Sequence, residues 1–142
     1  MATDPQPSPR PSQGAPLLEH QETFVIVAET LAGWRNPATP EGAELLAQHY
    51  AWGQAQHASG ALLFAGPIDP EALAPDAPTP VGRVSGLLVF RAASKAAAEA
   101  IAHSDPFHIH GCRRNAVHSW SIRFAQPPIA AALSAVLAEP QA

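Results

Sequence analysis

The stretch TFVIVAET, residues 23–30, decides the fold. Val25, Ile26 and Val27 are β-branched and consecutive, which marks a strand. Neighbouring side chains on a strand point to opposite faces. This strand is therefore apolar on both faces, and both must be covered. GWRNP, residues 33–37, breaks it on one side. On the other, residues 1–22 carry Pro5, Pro7, Pro9, Pro11 and Pro16 among Ser and Gln. Such a segment buries too little apolar surface to offset its ordering entropy and is expected to be a disordered tail. A proline-motif ligand for a partner domain is the other reading of that composition.

Beyond the break, Thr39 suits an N-cap, Pro40 the first helical position and Glu41 the positive end of the helix dipole. The helix they start runs to Gly60, a residue suited to the position just past a helix end. At 100° per residue, Leu45, Leu46, His49, Trp52, Gly53 and Gln56 share one face. ALLFAGP (61–67) reads as a short strand, followed by a proline-rich loop over 67–80. RVSGLLVFRA (83–92) is a third strand, also apolar on both faces. Ser94 caps a second, alanine-rich helix that ends before Asp105-Pro106. NAVHSWSIRF (115–124) is a fourth strand, and residues 128–138 suit a short terminal helix.

The order is β-α-β-β-α-β, the split-βαβ or ferredoxin-like arrangement, an α+β fold with a four-stranded antiparallel sheet. Right-handed crossovers put both helices on one sheet face. The other face then needs a partner, and a sheet-to-sheet homodimer is the simplest supply. The expected organisation is a tail over 1–22, a folded domain over 23–124 and an extension over 125–142.

Composition narrows the function. The 142 residues are 46% hydrophobic, as in an ordinary globular domain. With net charge -4 and 8 Lys+Arg, the chain lacks the basic footprint of a nucleic-acid binder. Cys112 is the single cysteine, so there is no internal disulfide and no CxxC metal pattern. No apolar run approaches the ~20 residues that span a bilayer. With no signal peptide legible either, the cytoplasm is the expected location.

The candidate chemistry sits on two elements. His49 lies near the centre of the inward face of the first helix, where a histidine beside an aromatic and an open space can act as a general base. Gly53 sits one turn on, and mid-helix glycine costs about 1 kcal/mol relative to alanine, which points to a close approach of backbone or ligand. Trp52 and Gln56 flank the same patch. Asp105, at the end of the second helix, can fix the tautomer of an imidazole and raise its basicity if the two meet. Read alone, His49 is a core histidine and Asp105 the start of a turn. His108 and His110 form an HxH pair in SDPFHIHG (104–111). A zinc site needs further ligands, and no spacing selects one, so no metal is assigned and the pair is placed at the edge of a ligand cleft. Cys112, beside Arg113 and Arg114, could have a lowered pKa, but no base or oxyanion arrangement accompanies it.

Three segments together resemble the YciI-like (YCII-related) family over residues 23–124. They are QHYAWGQAQHASGALLFAGP with His49 at the family histidine, HSDPFHIHG with Asp105 at the family aspartate and Gly111 after it, and HSWSIRF with Trp120. The chain departs from the family in its proline-rich tail, the 67–80 loop, which could close over the cleft, and His108 and His110. The resemblance implies a dimeric α+β barrel of ferredoxin-like protomers. It implies that His49 and Asp105 face each other in a cleft as a catalytic pair, and that the chemistry is lyase- or isomerase-like, on small cyclic compounds, including dehydrochlorination. Related barrels include muconolactone isomerases and cofactor-free monooxygenases.

The expectation is a small cofactor-independent enzyme acting on a small organic molecule. His49 moves the proton and Asp105 orients it. Trp52, Phe107 and Trp120 supply apolar wall, and Gly53, Gln56, His108 and His110 complete the substrate contacts. The alternative is a non-catalytic ligand-binding or assembly domain in which the His49–Asp105 pair is structural. A third reading is a metal-dependent enzyme using His108 and His110.

Overall fold

The computed structural model describes residues 22–74, 77 and 81–139. The expected tail therefore lies outside the described residues, as does part of the proline-rich loop. The element order is β1 (Thr23–Thr30), α1 (Pro40–Ala58), β2 (Leu62–Pro67), β3 (Val84–Arg91), α2 (Lys95–His103), α3 (Pro106–Ile109), β4 (Arg113–Ser119) and α4 (Pro127–Ala138). A short 3₁₀ turn, Pro70–Leu73, follows β2 within what the sequence suggested was plain loop. The sheet is antiparallel in the order β2-β3-β1-β4, the ferredoxin-like arrangement.

The register explains the core. Phe24, Ile26 and Ala28 of β1 lie opposite Phe90, Leu88 and Gly86 of β3, and Ile26 also lies opposite Val117 of β4. These residues form the inner face and pack against the helices. Ala98 and Ala102 of α2 are fully buried there, because methyl side chains let this helix lie close to the sheet. A smaller cluster of Leu45, Phe107 and Cys112, with Trp34 and Leu46 against it, fills the end of the sheet beneath α1 and α3.

The caps follow the sequence. The Thr39 side chain accepts from the Gly42 amide, and Ser94 accepts from Ala97. Gly60 follows α1 with φ of 80°. Two elements depart from expectation. Asp105 does not simply start a turn: its side chain accepts from the Phe107 amide and caps the four-residue helix α3. Pro106 favours this, because it suits the first position of a helix. β4 runs two residues earlier than expected and stops at Ser119. Ser119 lies opposite Phe24, near the start of β1, so the ladder ends where its partner strand does. Trp120 keeps one tie, donating its amide to the Thr23 carbonyl while its own carbonyl accepts from the Thr23 hydroxyl.

The outer face is covered in part by the chain itself. Arg91, at the end of β3, donates to the carbonyls of Val136 and Glu139 at the end of α4, and Val89 is buried. Toward β2, however, Leu87 is 40% exposed and Phe64 51% exposed.

Candidate functional site

The site is built at the junction of α1, α3 and β4. Asp105 is 1% exposed and receives three hydrogen bonds from three different elements. His49 Nδ1 of α1 lies 2.8 Å from Asp105 Oδ1. The Phe107 amide of α3 donates to the same oxygen at 3.0 Å. Asn115 Nδ2 of β4 donates to Oδ2 at 3.0 Å and to the Ala102 carbonyl at 2.9 Å. Both neighbours of that amide group are acceptors, so its NH₂ must face them, and Asn115 Oδ1 is left buried without a partner.

Burial alone would push the Asp105 carboxyl up. The hydrogen bond and charge of His49, then the Asn115 amide and the Phe107 N–H, outweigh it and hold the carboxyl below its ordinary range. Asp105 is therefore an ionised acceptor at neutral pH. An ionised carboxylate only accepts, so His49 must donate through Nδ1. In the neutral ring this leaves the lone pair on Nε2, the arrangement a general base needs. The ring is also held from its face, stacked on Phe107 at 4.5 Å and on Trp52 at 5.8 Å.

His49 opens onto a cleft of about 560 Å³ between α1 and the β2–β3 side of the sheet. Trp34, Leu46, Tyr50, Leu62 and Leu88 give it largely apolar walls. Gly53 lines it, and a Cβ at that position would meet nothing within 4 Å. The mid-helix glycine thus leaves open space rather than admitting a close backbone. The cleft takes Leu46, His49, Trp52 and Gly53 from the α1 face read in the sequence and adds Tyr50, Gln54 and His57, whereas Leu45 lies in the core. Gln56 is half-buried and does not line the cleft. Trp52 stands at the border: it lines the cleft, packs on Phe90 at 6.0 Å and donates its indole N–H to Ser104 Oγ at 2.8 Å.

The remaining substrate-contact expectations are corrected by position. Phe107 is buried beneath His49 as its platform, not in the cleft wall. Trp120 lies past the end of β4, exposed and away from the cleft. His108 is not at the cleft edge. It lies within α3, where its Nδ1 accepts from the backbone N–H of Asn115 at 3.1 Å and its ring stacks on His103 at 4.4 Å. Burial, and then the neighbouring His103, push the His108 pKa down despite the opposing pull of Asp105, as suits an acceptor. His110 caps the end of α3 in solvent. The HxH pair is helical rather than extended, so its rings do different work. Among the described residues, no three His, Cys, Asp or Glu side chains gather to hold a metal. Cys112 is fully buried. Burial raises its thiol pKa against the lowering effect of Arg35 and Arg113, so it is not the activated thiol that flanking arginines suggested.

Two residues escaped the sequence reading. Asn115 and Arg113 lie two apart on β4 with Val117, hence on the inner face. Arg113 and Asn115 lie opposite Thr30 and Ala28. A charge and an amide in the inward phase of a strand are the signal that could have found them.

All three Asp105 partners donate, so Asp105→Asn must set an NH₂ against at least one N–H. The substitution is expected to cost about 1–3 kcal/mol. Because the folded carboxyl lies below its ordinary 3.8, its contribution is present above that value and lost as pH falls through the lower folded value. Denaturant melts of both proteins across pH should show a gap that is constant near neutrality and closes in acid. A gap unchanged down to the lowest pH would contradict the assignment.

The chain is similar to a known family and to a solved structure. The YCII-related domain matches residues 24–121. No curated protein matches the chain. A solved structure of 5-chloro-2-hydroxyhydroquinone dehydrochlorinase from Burkholderia phenoliruptrix AC1100, in complex with 2,5-dihydroxybenzoquinone, is similar at 18% sequence identity with a TM-score of 0.47. The alignment covers 70% of this chain and 93% of that one. The family match spans most of the chain, including the strands, His49 and Asp105, and the chain belongs to the YCII-related family.

Proposed function

We propose that the chain is a small enzyme that moves a proton on a small organic, cyclic substrate, with His49 as general base and Asp105 as its positioning partner. The observation that carries this reading is the 2.8 Å contact of His49 Nδ1 with a buried carboxylate, at the wall of an apolar cleft. Substrate binds against the aromatic and aliphatic walls and presents an acidic C–H or O–H to Nε2. Nε2 takes the proton, and the electron pair stays on the substrate. Asp105 stabilises the imidazolium and keeps the ring from rotating. Return of the proton to another atom completes an isomerisation, and loss of a leaving group completes an elimination. Only a proton and an electron pair within the substrate move, so the scheme calls for no electron carrier. The largely apolar cleft supports it, because low polarity strengthens the charge interactions that form during transfer.

A non-catalytic reading draws on one observation, that Asp105 ties α1, α3 and β4 together. Deuterium wash-in separates the two. A panel of cyclic enols and hydroquinones in D₂O, followed by proton NMR, should show exchange of an acidic C–H catalysed by the wild type. His49→Ala should lose about 10²–10⁴-fold of that rate while remaining folded by circular dichroism. Equal rates in both proteins would remove His49 from the chemistry.

We also infer that the protein works as a homodimer joined through the outer sheet face. Leu87 and Phe64 are exposed there, with Val25 and Val27 of β1 only half-buried. Such a patch favours a second copy. Sedimentation at micromolar concentration should give a dimer, and Phe64→Glu with Leu87→Glu a monomer. A wild-type monomer would overturn this pairing.

A further inference from the structure

Arg113 is used by nothing described so far. It is 8% exposed, yet it lines the same cleft as His49. Among the described residues no hydrogen bond and no carboxylate ion pair reaches its guanidinium, and its Nε is buried without a partner. What it has instead is two rings. Its guanidinium carbon lies 4.6 Å from the centre of Phe107 and 5.2 Å from that of Trp34. Cation–π contact offsets part of the cost of burying the charge but supplies no oxygen for the N–H groups. Burial pulls its pKa down, against Asp105, Cys112 and Tyr50, which raise it. A guanidinium stays protonated all the same. A buried cation without an oxygen acceptor is costly unless something pairs with it.

Its position says where the missing acceptor sits. The phenyl ring that carries the guanidinium also carries the His49 imidazole, at 4.5 Å. Base and cation therefore stand one side chain apart on the wall of one cleft. Its other walls include Trp34 and Tyr50, which suit a flat ligand.

We propose that Arg113 is the anion anchor of the cleft, holding an anionic oxygen of the substrate, so that the substrate is a small planar acid whose reacting hydrogen is turned toward His49. This deepens the reading above, since it rests on the cleft being the substrate site. A guanidinium pairs with such an oxygen through charge-assisted hydrogen bonds, and with a carboxylate through two parallel ones. Any negative charge left on the substrate after proton removal falls within the field of the same cation. A neutral isostere leaves the charge unpaired and is rejected.

Calorimetric titration of the full chain with benzoate and with its neutral counterpart benzamide tests this. Wild type should bind benzoate at least tenfold more tightly than benzamide. Arg113→Gln should lose that preference, and His49→Ala should keep it. If the preference persists in His49→Ala while proton transfer fails to depend on His49, the anchor stands and the enzyme reading falls. Should Arg113→Gln not fold, the Arg113 Nε–H resonance of the wild type serves instead: benzoate should shift it and benzamide should not. Absence of benzoate binding, equal binding of benzoate and benzamide, or undiminished preference in Arg113→Gln would each overturn the proposal.

Discussion

The structure depends on one buried carboxylate. Asp105 accepts from His49 on α1, from the Phe107 amide in α3 and from Asn115 on β4. Helix α1 is thereby fixed to the stretch of chain that carries α3 and β4. The carboxylate stays charged in a buried place because each oxygen is met by a donor, which is the condition under which such a charge is tolerated. The same arrangement sets the chemistry of the site. Three donors on the carboxylate mean a His49 that donates at Nδ1 and keeps Nε2 for the cleft.

Around that point the packing is economical. Phe107 serves as the first amide of the α3 cap, as the platform for His49 and as a ring beneath Arg113. α1 divides its surface between two tasks. Leu45 faces the core, Leu46, Tyr50 and Gly53 face the cleft, and Trp52 touches both. His49 stands between the two stripes, so one ring nitrogen reaches the interior and the other edge faces ligand space. That border position lets a single histidine be both anchored and available.

Much of this was legible in the sequence, for identifiable reasons. TFVIVAET announced a strand apolar on both faces, and the caps Thr39 and Ser94 announced the helices, because those signals are local. The topology followed from element order. His49 and Asp105, 56 positions apart, were expected to meet from the family resemblance, and the fold brings them together. What was missed depends on rotation and register. Helical periodicity put Gln56 beside His49 but could not separate the core stripe from the cleft stripe a fraction of a turn away. The HxH spacing suggested two rings acting together. Pro106 starts a helix instead, and that helix turns His108 toward β4 and leaves His110 in solvent. Trp120 was read as cleft wall, but it shares the strand phase of Ala116 and His118 rather than that of buried Asn115 and Val117, and it lies past the end of β4. Arg113 lay just outside that strand as read, so its inward phase was not counted.

The central claim is that Asp105 holds His49 with its Nδ1 protonated and its Nε2 free for the cleft. Nitrogen-15 NMR of the histidine side chains in the folded protein, at a pH where His49 is neutral, measures this directly. The account predicts a proton on Nδ1 and an unprotonated Nε2. A neutral His49 carrying its proton on Nε2 would contradict it.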